Sequence, residues 1–178
     1  MNENEAMPDS GNTDAPDTGE KRRPFAQRQR SATRLAAVQC IYQFLQSGDD
    51  PLEKVPGFKR HFLPVLLTDF QIDKIDDEHF NGLVFGVADQ MEELLNAIAD
   101  KLRSGWTVDR LAVTERSVLV CAILELMKMP HVPARVVITE YTAIAESCGS
   151  DAGFINAVLD TAANQLRQQE MVSGKAGD

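Results

Sequence analysis

An all-α fold is what this 178-residue sequence predicts, on three observations. Apolar residues recur at three- and four-residue spacing through most of the chain, the period of helices with one packed face. Capping and breaking residues (Asp, Thr, Gly, Pro) stand between these stretches where helices would start and stop. Strand-like alternation is almost missing: the best candidate, Arg135–Thr139, is short and runs on into helical spacing.

The elements follow in order. Leu35, Val38, Tyr42 and Leu45 mark the packed face of a first helix ending near Ser47, with Gly48 as its stop. Pro24 in a first turn or Ser31 as a cap would serve equally as its start. After a Gly-Asp-Asp-Pro turn comes a short helix around Val55–Leu67, interrupted by Pro56, Gly57 and Pro64. Asp76 suits the N-cap of a long helix whose stripe runs Phe80, Leu83, Val84, Val87, Met91, Leu94, Leu95, Ile98, Leu102, closed by Ser104-Gly105. A turn spans Thr107 to Leu111. Thr114 then caps a helix reaching about Met129, apolar nearly all round and therefore central. Pro130 and Pro133 break the chain. A helix follows over about Ala134–Cys148, and Asp151 caps a last one through about Gln168. The expectation is six or seven helices with short connections.

Charge divides the chain unevenly. Residues 1–20 hold six acids and no base; residues 21–34 hold six bases and no acid, in a chain of net charge −9. Residues 1–23 are rich in Asp, Asn, Pro, Gly, Ser and Thr and bury too little to offset ordering entropy, which predicts a disordered acidic tail. Residues 24–170 form the helical domain and residues 171–178 a flexible end. Five of the six clustered bases are arginines, whose planar forks suit phosphate oxygens. That patch points to nucleic acid, although a block of like charge is also commonly just a solvated segment.

Other chemistries find little support. There is no P-loop and no dinucleotide fingerprint, and Gly82 with Gly86 is only small-residue spacing. His61, His79 and His131 fall on separate elements, away from Cys40, Cys121 and Cys148, so no metal site, cofactor or catalytic residue is expected. Asp76-Asp77-Glu78 reads as a helix N-terminus that favours anions. Cys148, before Gly149, sits where a helix C-terminus disfavours a thiolate. Glu125 and Glu140 interrupt apolar runs and need partners, with Arg110, Arg116 and Arg135 in neighbouring segments. An acidic opening without an apolar run predicts no secretory signal, and no apolar stretch approaches the roughly 20 residues of a membrane span. A cytoplasmic, reduced protein is the expectation.

Three motifs carry a family resemblance. The first is Arg34-Leu-Ala-Ala-Val-Gln-Cys-Ile-Tyr42-Gln. The second is Trp106-x-x-Asp109-Arg110-Leu111, followed by Glu115-Arg116 and Leu124-Glu125-Leu126. The third runs Val132-Pro133-x-x-Val136-x-Ile138-x-Glu140, then Gly149, then Phe154-Ile155-Asn156-x-Val158-Leu159-Asp160. Taken together, over about residues 28–166, the chain resembles the NusB family of bacterial transcription antitermination factors.

The resemblance implies a compact fold of two small helical subdomains and no enzyme activity. It implies binding of single-stranded boxA RNA as a heterodimer with NusE, a small-subunit ribosomal protein, and assembly with other Nus factors on RNA polymerase. By position it makes Arg28, Arg30 and Arg34 the phosphate contacts, and places Tyr42, Asp151, Phe154 and Asn156 on the rest of the RNA surface. Phe154 is there a stacking platform or a core residue, in equal measure. Glu115 and Arg116 resemble the region facing NusE. The arginine run is more diluted than the family's, and the acidic tail is an addition that, folded back on those arginines, would compete with RNA. Two other readings stand beside this one: the RNA-binding N-terminal domain of an rRNA cytosine methyltransferase, and a helical module that binds only proteins. Both a monomer and a homodimer that masks the RNA face are compatible with the sequence.

Overall fold

The computed structural model describes residues 23–173. The acidic tail of residues 1–20, Lys21 and Arg22, and the last five residues lie outside them. Among the described residues there are nine α-helices and one 3-10 turn and no strand: α1 Phe25–Ser47, α2 Pro51–His61, α3 Leu63–Phe70, α4 Asp77–Asp89, α5 Met91–Ala99, the turn Val108–Arg110, α6 Val113–Lys128, α7 Ala134–Ser147, α8 Ala152–Leu166 and α9 Gln168–Ser173.

The caps explain where several of these begin and end. Pro24 precedes the first turn of α1, and Gly48 closes it in the left-handed region at φ 72°. Asp50 Oδ1 accepts the Leu52 N–H at 2.9 Å to start α2. Asp76 does the same for α4 from His79 N–H, and Asp151 for α8 from Phe154 N–H.

Three expectations need correction. The segment foreseen as one interrupted helix is two, because Pro56 is accommodated inside α2 while Pro64 sits in the first turn of α3. The long helix foreseen from Asp76 to Leu102 breaks at Gln90 (φ −116°, ψ 23°). The apolar stripe runs on through the break, with neither Gly nor Pro to mark it. Third, α6 starts at Val113 rather than after a Thr114 cap, and its first turn is closed by Glu115, whose Oε2 accepts the Ala112 N–H at 2.9 Å.

The C-terminal end is more structured than foreseen. A break at Arg167 starts α9, where Met171 is buried. The Arg167 guanidinium donates to the carbonyls of Glu125, Leu126, Met129 and Val132, at the end of α6 and just beyond it. Glu170 Oε1 accepts the Ala134 N–H at 2.6 Å at the start of α7. One arginine and one glutamate thus tie the end of α6, the link after it and the start of α7 together.

Helix α6 is the axis of the fold. From Ser117 to Leu126 every residue is buried, and α1, α4, α5, α7 and α8 pack around it. Helix α1 packs on α6 and α4 as well as on α2 and α3, so the helices share one continuous core. Gly86 matters to that packing. A Cβ placed on it would stand 2.7 Å from Leu124 Cδ2, so any side chain there requires Leu124 to shift. Substituting G86V is expected to destabilise the fold by about 1–3 kcal/mol through overpacking, read from chemical denaturation. An unchanged midpoint would mean that Leu124 yields freely.

Candidate nucleic-acid interface

The three arginines assigned to phosphate have three different environments. Arg34 is 1% exposed. Its Nε donates to both carboxylate oxygens of Glu125 at 3.1 Å, and one terminal nitrogen donates to Glu125 Oε1 at 2.7 Å. Its guanidinium is spent mainly on this buried carboxylate and only borders the groove between α1 and α7, which argues against the phosphate contact assigned to it. Arg28 is half-buried and donates from one nitrogen to the carbonyls of Phe70 and Gln71 at 3.0 Å each, so it closes the end of α3. Arg30 is exposed and makes no hydrogen bond or ion pair among the described residues.

Glu125 also finds partners other than the expected Arg110, Arg116 and Arg135. Besides Arg34, Tyr141 donates its hydroxyl to Oε2 at 2.8 Å, and His79 Nε2 stands 3.4 Å from Oε1. Burial alone would raise the Glu125 carboxyl; His79 and the Arg34 fork reverse that and hold it at about 2. Burial and the neighbouring Glu125 charge push the Tyr141 hydroxyl well up, so it stays a donor. Glu140 lies at the edge of this network. It accepts from Ser31 Oγ at 2.5 Å and stands 3.6 Å from Arg34 and 3.7 Å from Arg23. Arg110 instead donates to the Gly105 carbonyl, and the Nε of half-buried Arg116 is enclosed with no hydrogen-bond partner among the described residues.

Two surfaces among the described residues bring the site candidates together. One is an open groove of about 610 Å³ between the start of α1 and α7, lined among others by Arg23, Gln27, Arg30, His131 and Arg135. The other is built around the first turns of α6 and α8. A hollow of about 540 Å³ is lined by Lys101, Arg103, Trp106, Glu115, Asp151 and Phe154, with further small residues of α8. Beside it, a second hollow of about 380 Å³ holds Tyr42, Gln39, Thr114 and Cys148. Asp151 and Phe154 line the first hollow and Tyr42 the second, with Thr114 and Glu115, consecutive in α6, contributing one to each. Tyr42 is 37% exposed, and its hydroxyl accepts from Gln46. Asn156 is exposed on α8 without a described partner.

Phe154 is neither free nor a core residue. It is half-buried and stacks on Trp106, ring centroids 6.0 Å apart, and Trp106 itself is 50% exposed. The Arg110 guanidinium lies 5.6 Å from the Trp106 ring centroid. Reading the residues one by one missed Trp106, Lys101 and Arg103. The usable signal was a lone tryptophan one residue after Gly105, in a connection that also holds Lys101, Arg103 and Arg110. The distance between the two surfaces is also informative: Arg30 and Tyr42 lie twelve residues apart on α1, about 18 Å along its axis.

Comparison with known proteins places this arrangement. The family model for the NusB family matches residues 31–164. Proteins called transcription antitermination protein NusB are similar over most of their length. The one from Caulobacter vibrioides is 38% identical over 140 residues, 78% of this chain and 94% of that protein. The one from Sphingopyxis alaskensis is 33% identical over 142 residues, 79% and 95%. Among solved structures, T. maritima NusB superposes with a TM-score of 0.65 at 25% identity, over 80% of this chain and 96% of that one. A chain from a structure of antitermination factors NusB and NusE in complex with dsRNA shares the fold, with a TM-score of 0.58 at 23% identity over 78% and 98%. With its helical architecture, a family model matching residues 31–164 and relatives similar over nearly their whole length, the chain belongs to the NusB family.

Proposed function

We propose that this protein is a transcription antitermination factor that binds boxA-type single-stranded RNA together with NusE, and joins other Nus factors on RNA polymerase in the cytoplasm. One observation carries the RNA part: half-exposed Trp106 stacked on Phe154, beside Lys101 and Arg103. Exposed aromatics next to cations are what single-stranded nucleic acid needs, a stacking surface and a counter-charge. That this patch survives on a chain of net charge −9 supports local recognition rather than general nucleic-acid affinity. Similarity along nearly the whole of the antitermination proteins supports this reading over a domain of an RNA methyltransferase. Of the two residues resembling the NusE-facing region, Arg116 remains the proposed contact, while Glu115 lines the hollow beside Trp106.

The deciding experiment is binding of a short boxA-type RNA and a scrambled control, each with and without NusE. Tighter binding of the boxA-type RNA in the presence of NusE is expected; equal, weak binding in all four mixtures would overturn the proposal. Light scattering under the same conditions distinguishes the heterodimer from a homodimer. Of the α1 arginines, Arg30 is the phosphate contact on this reading. R30Q should reduce the log–log salt slope of RNA binding by about 0.7, the value of one single-strand contact. An unchanged slope would leave Arg30 merely solvated.

A further inference from the structure

We propose that the hollow lined by Trp106, Phe154, Glu115 and Asp151 takes one unpaired nucleobase and selects a base with amino donors on its Watson–Crick edge, guanine foremost, over uracil. The inference rests on the RNA-binding reading and adds to it which base is read and by which atoms.

The carboxylates carry it. Asp151 accepts the Phe154 N–H through Oδ1 at 2.9 Å, and Glu115 accepts the Ala112 N–H through Oε2 at 2.9 Å. Each carboxylate is therefore oriented by a backbone bond at one oxygen, while its other oxygen makes no hydrogen bond among the described residues. Both side chains line the hollow that holds Trp106 and Phe154. Lys101 and Arg103 line it too, yet no ion pair within 4.0 Å joins them to either acid among the described residues. An ionised carboxylate only accepts hydrogen bonds. Guanine presents adjacent N1–H and N2–H₂ donors, adenine and cytosine one amino group each, and uracil a single N–H between two carbonyls that a carboxylate repels. Unstacked bases in single strands are read on these edges while their faces stack on aromatic rings. The exposed half of Trp106 supplies the stacking surface. Lys101 and Arg103 supply charge for the flanking phosphates.

Trp106 is the single tryptophan of the chain, so its fluorescence reports on this pocket alone. The test titrates the full-length protein with seven-nucleotide oligouridylates carrying guanine, inosine or uracil at the centre, with binding followed in parallel by fluorescence anisotropy of labelled RNA. Guanine should quench Trp106 and bind about tenfold tighter than uracil, with inosine, which lacks the 2-amino group, in between. The paired substitution E115Q with D151N keeps both caps, since Gln and Asn still accept the backbone N–H, but turns the free oxygen into a donor. Its guanine preference should vanish with helicity unchanged by circular dichroism. RNA binding without Trp106 quenching, or a guanine-to-uracil ratio equal in parent and variant, overturns this inference and leaves the RNA reading standing. Absence of binding to every RNA, boxA-type included and with NusE present, overturns both.

Discussion

Replacing Arg34 with methionine is expected to lower folding stability by about 3–5 kcal/mol at pH 7, measured by chemical denaturation. The methionine fills similar space, but Glu125 is then left ionised at 0% exposure with only His79 and the Tyr141 hydroxyl beside it. A buried carboxylate without its counter-charge costs far more than an exposed pair would contribute. The pH dependence has a definite sign. The Glu125 carboxyl is held at about 2 in the folded protein against 4.5 for an unperturbed glutamate. Its contribution is therefore fully present above about pH 4.5 and is lost as the pH falls from there toward 2. The gap between parent and R34M should be widest near neutrality and narrow through that window. A gap that does not change with pH would mean that the loss is one of packing, with the charge pair irrelevant. R34M and R30Q should also part company: the first costs stability and leaves the RNA salt slope of the folded fraction unchanged, the second does the reverse. Were R34M to flatten the slope without destabilising the fold, the buried pairing would be the wrong account of Arg34.

Truncation of Phe154 is the second large effect. F154A should weaken RNA binding about 5- to 150-fold, the equivalent of about 1–3 kcal/mol for one stacked base. Its stability cost should stay below the roughly 3–5 kcal/mol of removing a fully buried phenylalanine, because the ring is only partly buried, at the edge of the core and stacked on Trp106. Calorimetry on the same samples separates the two quantities. Lost stability with RNA affinity intact would make Phe154 a prop for Trp106 and no more.

The legible parts of the fold were those written in local chemistry. Asp76, Asp151 and Gly48 act at the helix ends they were expected to mark, because a cap depends on residues within one turn of itself. The burial of α6 was equally legible, since a helix apolar on every face has nowhere to go but inside. The break at Gln90 was not, for a bend between two packed helices leaves the apolar spacing intact.

At the candidate site the division is sharper. Arg28, Arg30 and Arg34 look alike in sequence: three arginines within seven residues, facing no nearby acid. Which of them meets solvent is settled by groups far along the chain, Phe70 and Gln71 for Arg28 and Glu125, ninety-one positions away, for Arg34. The Trp106 and Phe154 rings are likewise brought together only by the docking of the α5–α6 connection against α8. By itself, then, the sequence determined the helices, most of their ends, the central place of α6 and the family motifs, all properties of residues within a turn or two of each other. Only the tertiary structure decided which charges are spent inside and which rings form a surface, because burial and pairing are set by neighbours in space.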